Sequence, residues 1–320
     1  MPRDESEVGR SQTTSARPSR LTSVRIAYIV TAYTSPDQVV RLVRRLRAPD
    51  TSFVIHVDKN TDDATYERIA GPLGSLSNVH FLKRYRWRWG HFVSVRTRLT
   101  GLQEVLASDS RCDYLIAISG QSYPIKSNRY IHQFLQESGG RSFIQYFTKE
   151  APWAGKWDER HIYWHSSWGR WHFAFPKTDI FESPAVNRVW NVLAKRVAFR
   201  RRFPAGFKPF YGSAFWCLSR ECAEYVLEFT QRNRSFVRFF GRTLCPSEMF
   251  FQTILLNSTL SDRIVNDDLL YTDFSQHLAH PALLGKNDFN RFMSRSDLFA
   301  RKFDATVDGE VLDMIDAAIS

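Results

Sequence analysis

The chain predicts an α/β fold whose first 145 residues form a parallel, Rossmann-like sheet, followed by an aromatic-rich insertion. Three observations lead there. Short apolar runs alternate with amphipathic stretches, and the runs close on polar or acidic residues. The alternation then stops near residue 147, where tryptophans crowd together. Such β–α repetition is the pattern of parallel strands joined by crossover helices.

Taken in order, Ile26-Ala27-Tyr28-Ile29-Val30 reads as a buried strand, because no residue in it is suited to a solvent face. Across Pro36 to Leu46, the residues Val39, Val40, Leu42, Val43 and Leu46 recur at helical spacing. Phe53 to Asp58 is a second strand, ending on a carboxylate. A helix near Ala64–Ala70, a strand at Val79–Leu82 and a longer helix from Val93 to Leu106 follow. Tyr114 to Ile118 is the fourth strand and closes in Ser119-Gly120-Gln121. Ligands of open parallel sheets lie beyond the carboxyl ends of the strands. Tyr33, Asp58 and residues 119–121 therefore line one crevice.

Residues 147–208 lose the period and read as an irregular insertion beside the site. Regularity returns with a strand over Tyr211–Leu218, a helix from Arg220 to Gln231, and a helix that Pro246 opens and that runs through Leu256. No internal repeat is visible. Residues 1–23 are polar, mixed in charge and rich in Ser, Thr and Arg, which predicts a disordered tail. Residues 24–320 form a single domain.

Composition narrows the function. The chain is 43% apolar over 320 residues, enough for a full core. Its net charge of +11 favours an anionic partner. No RNA-binding or zinc-finger signature accompanies the basic clusters, which argues against nucleic acid. The four cysteines form no CxxC pair and no metal spacing, so buried thiols in a reducing compartment are expected. No apolar run approaches the ~18 residues that span a bilayer. Six of the nine tryptophans lie between residues 153 and 190. They form either a wall for sugar rings or a satellite core.

Two stretches carry chemistry. Pro246-Ser247-Glu248-Met249-Phe250-Phe251-Gln252-Thr253 places a carboxylate in the first turn of an apolar helix, as a base or as a helix-capping group. Phe299-Ala300-Arg301-Lys302-Phe303-Asp304 places two cations between aromatics. They are a solvated pair or a clamp for anionic oxygens. A strand-terminal DxD, the usual metal holder of nucleotide-sugar transferases, is absent. Asp62-Asp63 and Asp267-Asp268 lack its flanking pattern.

With these stretches in view, the chain resembles the core-2/I-branching β-1,6-N-acetylglucosaminyltransferases and peptide O-xylosyltransferases. The resemblance runs from Arg25 to about Asp304, weakest over 147–208. Its other pieces are Ile55-His56-Val57-Asp58-Lys59, Trp89-Gly90, Ser119-Gly120-Gln121-Ser122-Tyr123-Pro124 and Tyr211-Gly212-Ser213. It implies a GT-A-type fold, a UDP-sugar donor, inversion at the anomeric carbon and no metal. It also implies that Glu248 is the base, that Asp58 contacts the uridine, and that Arg301 and Lys302 hold the diphosphate.

There are departures from the family pattern. Tyr33 stands where the family commonly has a His near the uracil, and Ser122 replaces an Asp. Ala214 matches the N-acetylglucosaminyl branch, whereas Trp89-Gly90 looks like the xylosyl one.

The expectation is thus an inverting, metal-independent glycosyltransferase with no cofactor. N-acetylglucosamine is the first choice of sugar and xylose the second. A non-catalytic basic module for anionic polymer or membrane is the competing class. Residues 24–146 are the nucleotide-binding half, with Thr31 and Tyr33 joining Asp58, Arg301 and Lys302 as donor-binding residues. Residues 147–320 are the acceptor-binding and catalytic half. Gly120, Gln121, Gly212, Ser213 and Trp216 are expected to line the substrate pocket. The acceptor would be a glycan, glycolipid or polysaccharide precursor. The location would be cytoplasmic, with peripheral contact to anionic membrane.

Overall fold

A computed structural model describes residues 23–151, 157, 159–168, 171–175, 189, 192, 201–276 and 280–320. The predicted tail falls outside them except for Ser23. The first half runs β1 (Ile26–Ala32), α1 (Pro36–Leu46), β2 (Thr51–Val57), α2 (Asp63–Gly74), β3 (Val79–Phe81), α3 (Val93–Ser108) and β4 (Tyr114–Ser119). Next come β5 (Ser122–Pro124), α4 (Asn128–Glu137), β6 (Ser142–Phe143) and β7 (Tyr146–Phe147). The later strands are β8 (Trp164–Trp168), β9 (Trp171–Phe175), β10 (Tyr211–Gly212), β11 (Trp216–Ser219), β12 (Ile264–Val265), β13 (Leu270–Thr272) and β14 (Phe299–Arg301).

The central sheet has the order β12-β6-β11-β4-β1-β2-β3. The four strands of the first half are parallel to one another, as their crossover helices require. The second half extends this sheet with β11 antiparallel to β4, and with β6 antiparallel to β11. β1 lies in the middle and is covered on both faces. Tyr28 and Val30 join one core with α1, while Ala27 and Ile29 join another with α3 and the helix Arg220–Arg232. Successive strand residues point to opposite faces, so a run that must be buried on both sides is apolar throughout. The mixed α/β architecture is consistent with a GT-A-like fold.

Three expectations need correction. The predicted strand over 211–218 is two strands in different sheets, β10 pairing β7 and β11 pairing β4, separated by Ser213–Phe215. The predicted helix over 246–256 is a single 3-10 turn, Pro246–Glu248, followed by a separate helix, Phe250–Leu256. Met249 divides them: its backbone at φ −143° and ψ −34° leaves the helical region, and its side chain is fully buried. The insertion is also less irregular than expected, since a short helix, Glu159–Ile162, precedes an antiparallel hairpin of β8 and β9. Trp153 and Trp190 lie outside the described residues.

Candidate active site

One wall of the cleft is made by the carboxyl ends of β1, β2 and β4. The backbone N–H of Asp58 donates to Ala32 O at 2.9 Å, which carries β2 past the end of its strand. Oδ1 of Asp58 then accepts from the amides of Asn60 and Trp87, both at 2.9 Å. Nearby, His56 Nε2 accepts from the amide of Tyr85 at 2.9 Å. Burial pulls the His56 imidazole down to about 4, so it remains the neutral acceptor that this bond needs. Together the two side chains fasten residues 85–87 beside the strand.

Gly120 closes β4. Its amide donates to Thr31 O at 2.8 Å, and a Cβ there would meet Val39 Cγ2 at 2.7 Å. Gln121, 5% exposed, joins the two sides of the cleft: its Oε1 accepts from the Tyr33 hydroxyl at 2.8 Å and its carbonyl accepts from the amide of Phe303 at 2.9 Å. Tyr33 is itself 54% exposed, free to present its ring to a ligand. The hydroxyl of Thr31 points instead at Ile118 O, 3.4 Å away, which ties it to the sheet.

The opposite wall is held by charge. Arg301 sits on β14, which pairs with β5 and β13 in a small sheet, and Phe299 and Phe303 on either side are buried. The guanidinium of Arg301 lies 4.6 Å from the ring centre of Phe215, and that of Arg98 lies 5.6 Å from the same ring. Arg98, from α3, is only 3% exposed. Burial lowers both arginines to about 10, and the charge of Arg301 also pulls Arg98 down. Both remain charged at neutral pH. Among the described residues neither forms an ion pair, and the Nε atoms of both lack a partner. Glu248 is close enough to favour the charged form of each.

Glu248 does not cap a helix. It pairs with Arg160, whose guanidinium lies 3.5 Å from the ring centre of Trp157. The tryptophan-rich segment therefore reaches the candidate base through a cation–π contact and an ion pair. On the other side, Cys245 donates its amide to Gly90 O at 2.9 Å, so the Glu248 turn is fastened to Trp89-Gly90. Trp89 is 73% exposed there.

Asp268 completes this wall. Burial raises its carboxyl to about 6, against a hydrogen bond from Ser213 that favours the ionised form. Gly212 next to Ser213 has no room for a side chain, since a Cβ would fall 1.8 Å from Gln145 O. Trp216, expected in the pocket, is a core residue: it is 1% exposed and packs on Phe251 with centroids 5.2 Å apart. Pairing of β11 with β4 turns its side chain into the core.

The sequence reading thus named Glu248, Arg301 and Lys302, and missed Arg98, Arg160, Phe215 and Asp268. A signal for Arg98 was present. It lies three residues after Val95 and four before Leu102, so helical spacing puts it on the buried face of α3. Among the described residues no cluster of three or more His, Cys, Asp or Glu is arranged to hold a metal ion. The four cysteines are buried and unpaired.

The Core-2/I-Branching enzyme model matches residues 26–294. The chain belongs to that family. Among curated relatives, xylosyltransferase 2 of Homo sapiens is 27% identical, with 92% of this chain and 33% of the relative covered. Xylosyltransferase 2 of Rattus norvegicus is 26% identical over the same shares, and the Drosophila melanogaster xylosyltransferase oxt is 26% identical over 94% of this chain and 34% of its own. The chain spans about a third of the length of these relatives.

Proposed function

We propose that the chain is an inverting transferase that moves a sugar from a UDP-sugar to an acceptor hydroxyl without a metal ion. The observation that carries this reading is a pair of arginines that form no ion pair among the described residues, the buried Arg98 and the half-buried Arg301, on Phe215 beside Glu248. Desolvating a guanidinium without a paired counter-ion costs several kcal/mol, and the one hydrogen bond from Arg98 to Ser94 O offsets only part of it. That cost is recovered when an anion arrives, and the leaving diphosphate is such an anion.

In this mechanism Glu248 takes the proton of the acceptor hydroxyl as its oxygen bonds to the anomeric carbon. On the opposite face the bond from that carbon to the phosphate oxygen breaks, and the electron pair leaves with UDP. The configuration at the anomeric carbon inverts. Arg301 and Lys302 meet the growing phosphate charge, the kind of stabilisation that most lowers such barriers. Arg160 pairs with Glu248 and orients it toward the acceptor. Asp58 and Tyr33 receive the nucleoside. The donor is a UDP-linked xylose or N-acetylglucosamine. Ala214 had favoured the latter, and the names of the relatives bring xylose forward.

The test is hydrolysis or transfer from a panel of UDP-sugars in EDTA. Turnover of UDP-xylose or UDP-N-acetylglucosamine under chelation is the expected result. Complete loss that manganese restores would remove the cationic clamp from the mechanism.

A further inference from the structure

A second concave site lies on the flank of α1, where five arginines line a cavity of about 690 Å³. Arg41, Arg44 and Arg45 recur at the spacing that places side chains on one helix face, and Arg47 follows at the helix end. Arg68 reaches in from α2. Like charges at this spacing repel, so the cluster costs stability unless something answers it.

Part of it is answered within the chain. Arg41 and Arg45 both pair with Asp316 of the C-terminal helix, Glu310–Ala318, and Arg41 also donates to the Tyr123 hydroxyl. These contacts fasten that helix to α1. Arg68 pairs with Asp37, where both side chains are more than half exposed. Cations at a helix C-terminus also favour the dipole of α1. Neither effect accounts for the whole set. Five guanidiniums are answered by three carboxylates: Asp37 and Asp316 at the cavity, and Asp313, which also pairs with Arg41. Arg44 and Arg47 are exposed and form no ion pair among the described residues.

The cavity is distinct from the donor cleft. Ser122 and Arg301 are paired in register on neighbouring strands, so their side chains share a face of the small sheet. Tyr123, which lines the arginine cavity, points to the other face. The N-terminal end of α4, at Asn128, opens onto the cavity and adds the positive end of its dipole.

We infer that this cavity is a second anion site that takes phosphate oxygens: a diphosphate, or neighbouring phosphate headgroups of a lipid surface. The forked guanidinium matches phosphate in shape and charge. The surplus of two positive charges, five arginines less three carboxylates, suits a diphosphate or paired headgroups better than a single carboxylate.

The full chain is titrated with inorganic pyrophosphate in a calorimeter, and floated with vesicles of phosphatidylglycerol and, separately, of phosphatidylcholine. Wild type is compared with Arg44→Gln/Arg47→Gln in the cavity and with Lys302→Ala in the donor cleft. Both arginines are exposed and unpaired, so the double variant should keep the wild-type unfolding midpoint. Lys302→Ala, which weakens the donor clamp, should still bind pyrophosphate, and the double variant should lose, by tenfold or more, the binding that Lys302→Ala retains. If phosphatidylglycerol flotation disappears in the double variant, a lipid surface is the source. If no vesicle floats any form while pyrophosphate binding is lost in the double variant, the source is a soluble phosphate. The inference fails if wild type binds neither probe, or if the double variant binds both as wild type does.

Discussion

The two walls of the cleft hold their polar groups in opposite ways. On the wall at the ends of β1, β2 and β4, the polar groups are largely answered from within: Asp58 accepts two amides, His56 accepts one, and Thr31 and Gly120 bond to neighbouring strands. On the facing wall, Arg98 is buried and Arg301 half-buried, neither with an ion pair among the described residues, and Asp268 is a carboxyl whose charge burial opposes. The first wall offers a fixed shape, because most of its hydrogen bonds are made before any ligand arrives, although the buried Nδ1 of His56 lacks a partner among the described residues. The second carries desolvated charge that Glu248 and Asp268 offset in part and that an anionic ligand would offset further. Under the proposed function, nucleoside recognition falls to the more satisfied surface and the reaction to the less satisfied one.

The sharpest way to break this division is at the base. Glu248→Gln should lower turnover by roughly 10²–10⁴, the usual worth of a positioned general base. UDP-sugar affinity should stay within a few-fold, as read by calorimetry. Unchanged turnover would reduce the Glu248–Arg160 pair to a structural tie.

Next in size are the cations. Lys302→Ala should weaken UDP by about 1.5–3 kcal/mol while leaving uridine nearly unaffected, as a charge-assisted phosphate contact requires. Asp58→Ala, on the satisfied wall, should weaken both ligands by similar factors and also loosen the segment at Trp87.

Arg98→Met separates the walls further. Replacing a buried, unpaired charge by an apolar side chain of similar size should raise the unfolding midpoint, since such exchanges are often neutral to stabilising by about 1–4 kcal/mol. The same variant should bind UDP-sugar at least tenfold more weakly. A destabilised variant with full affinity would show that Arg98 is structural.

The smallest expected effect concerns pH. Asp268 titrates in the folded chain near 6, above its ordinary value, so its ionisation costs stability as pH rises from about 4 to about 6. His56 titrates near 4, below its ordinary value, so stability is lost as pH falls from about 6.5 towards 4. The two slopes oppose each other. Asp268→Asn removes one, and should stabilise the protein by about 1–3 kcal/mol at pH 7. Its denaturation curves should then steepen with acid where those of wild type stay flatter. Equal slopes in the two proteins would show that Asp268 is not buried as a charge.

Much of the first wall was legible in the sequence because it follows from local periodicity. A strand that is apolar throughout, a crossover helix and a polar residue at the strand end together locate Tyr33, Asp58 and Gly120 without any distant contact. Glu248 and the Arg301–Lys302 pair were visible as motifs, though not their surroundings. The helix expected over 246–256 failed at Met249 because helical propensity there loses to burial of one side chain in the core. Trp216 was misplaced because strand pairing, not composition, decides which face a residue takes.

The sequence by itself determined the β–α order, the parallel half of the sheet and the motifs that hold Glu248, Arg301 and Lys302. Only the tertiary structure decided which of them meet. Arg98, Arg160, Glu248, Asp268 and Arg301 come from separate stretches of the chain. Their charges interact through space and low-dielectric surroundings, and neither leaves a period in the sequence.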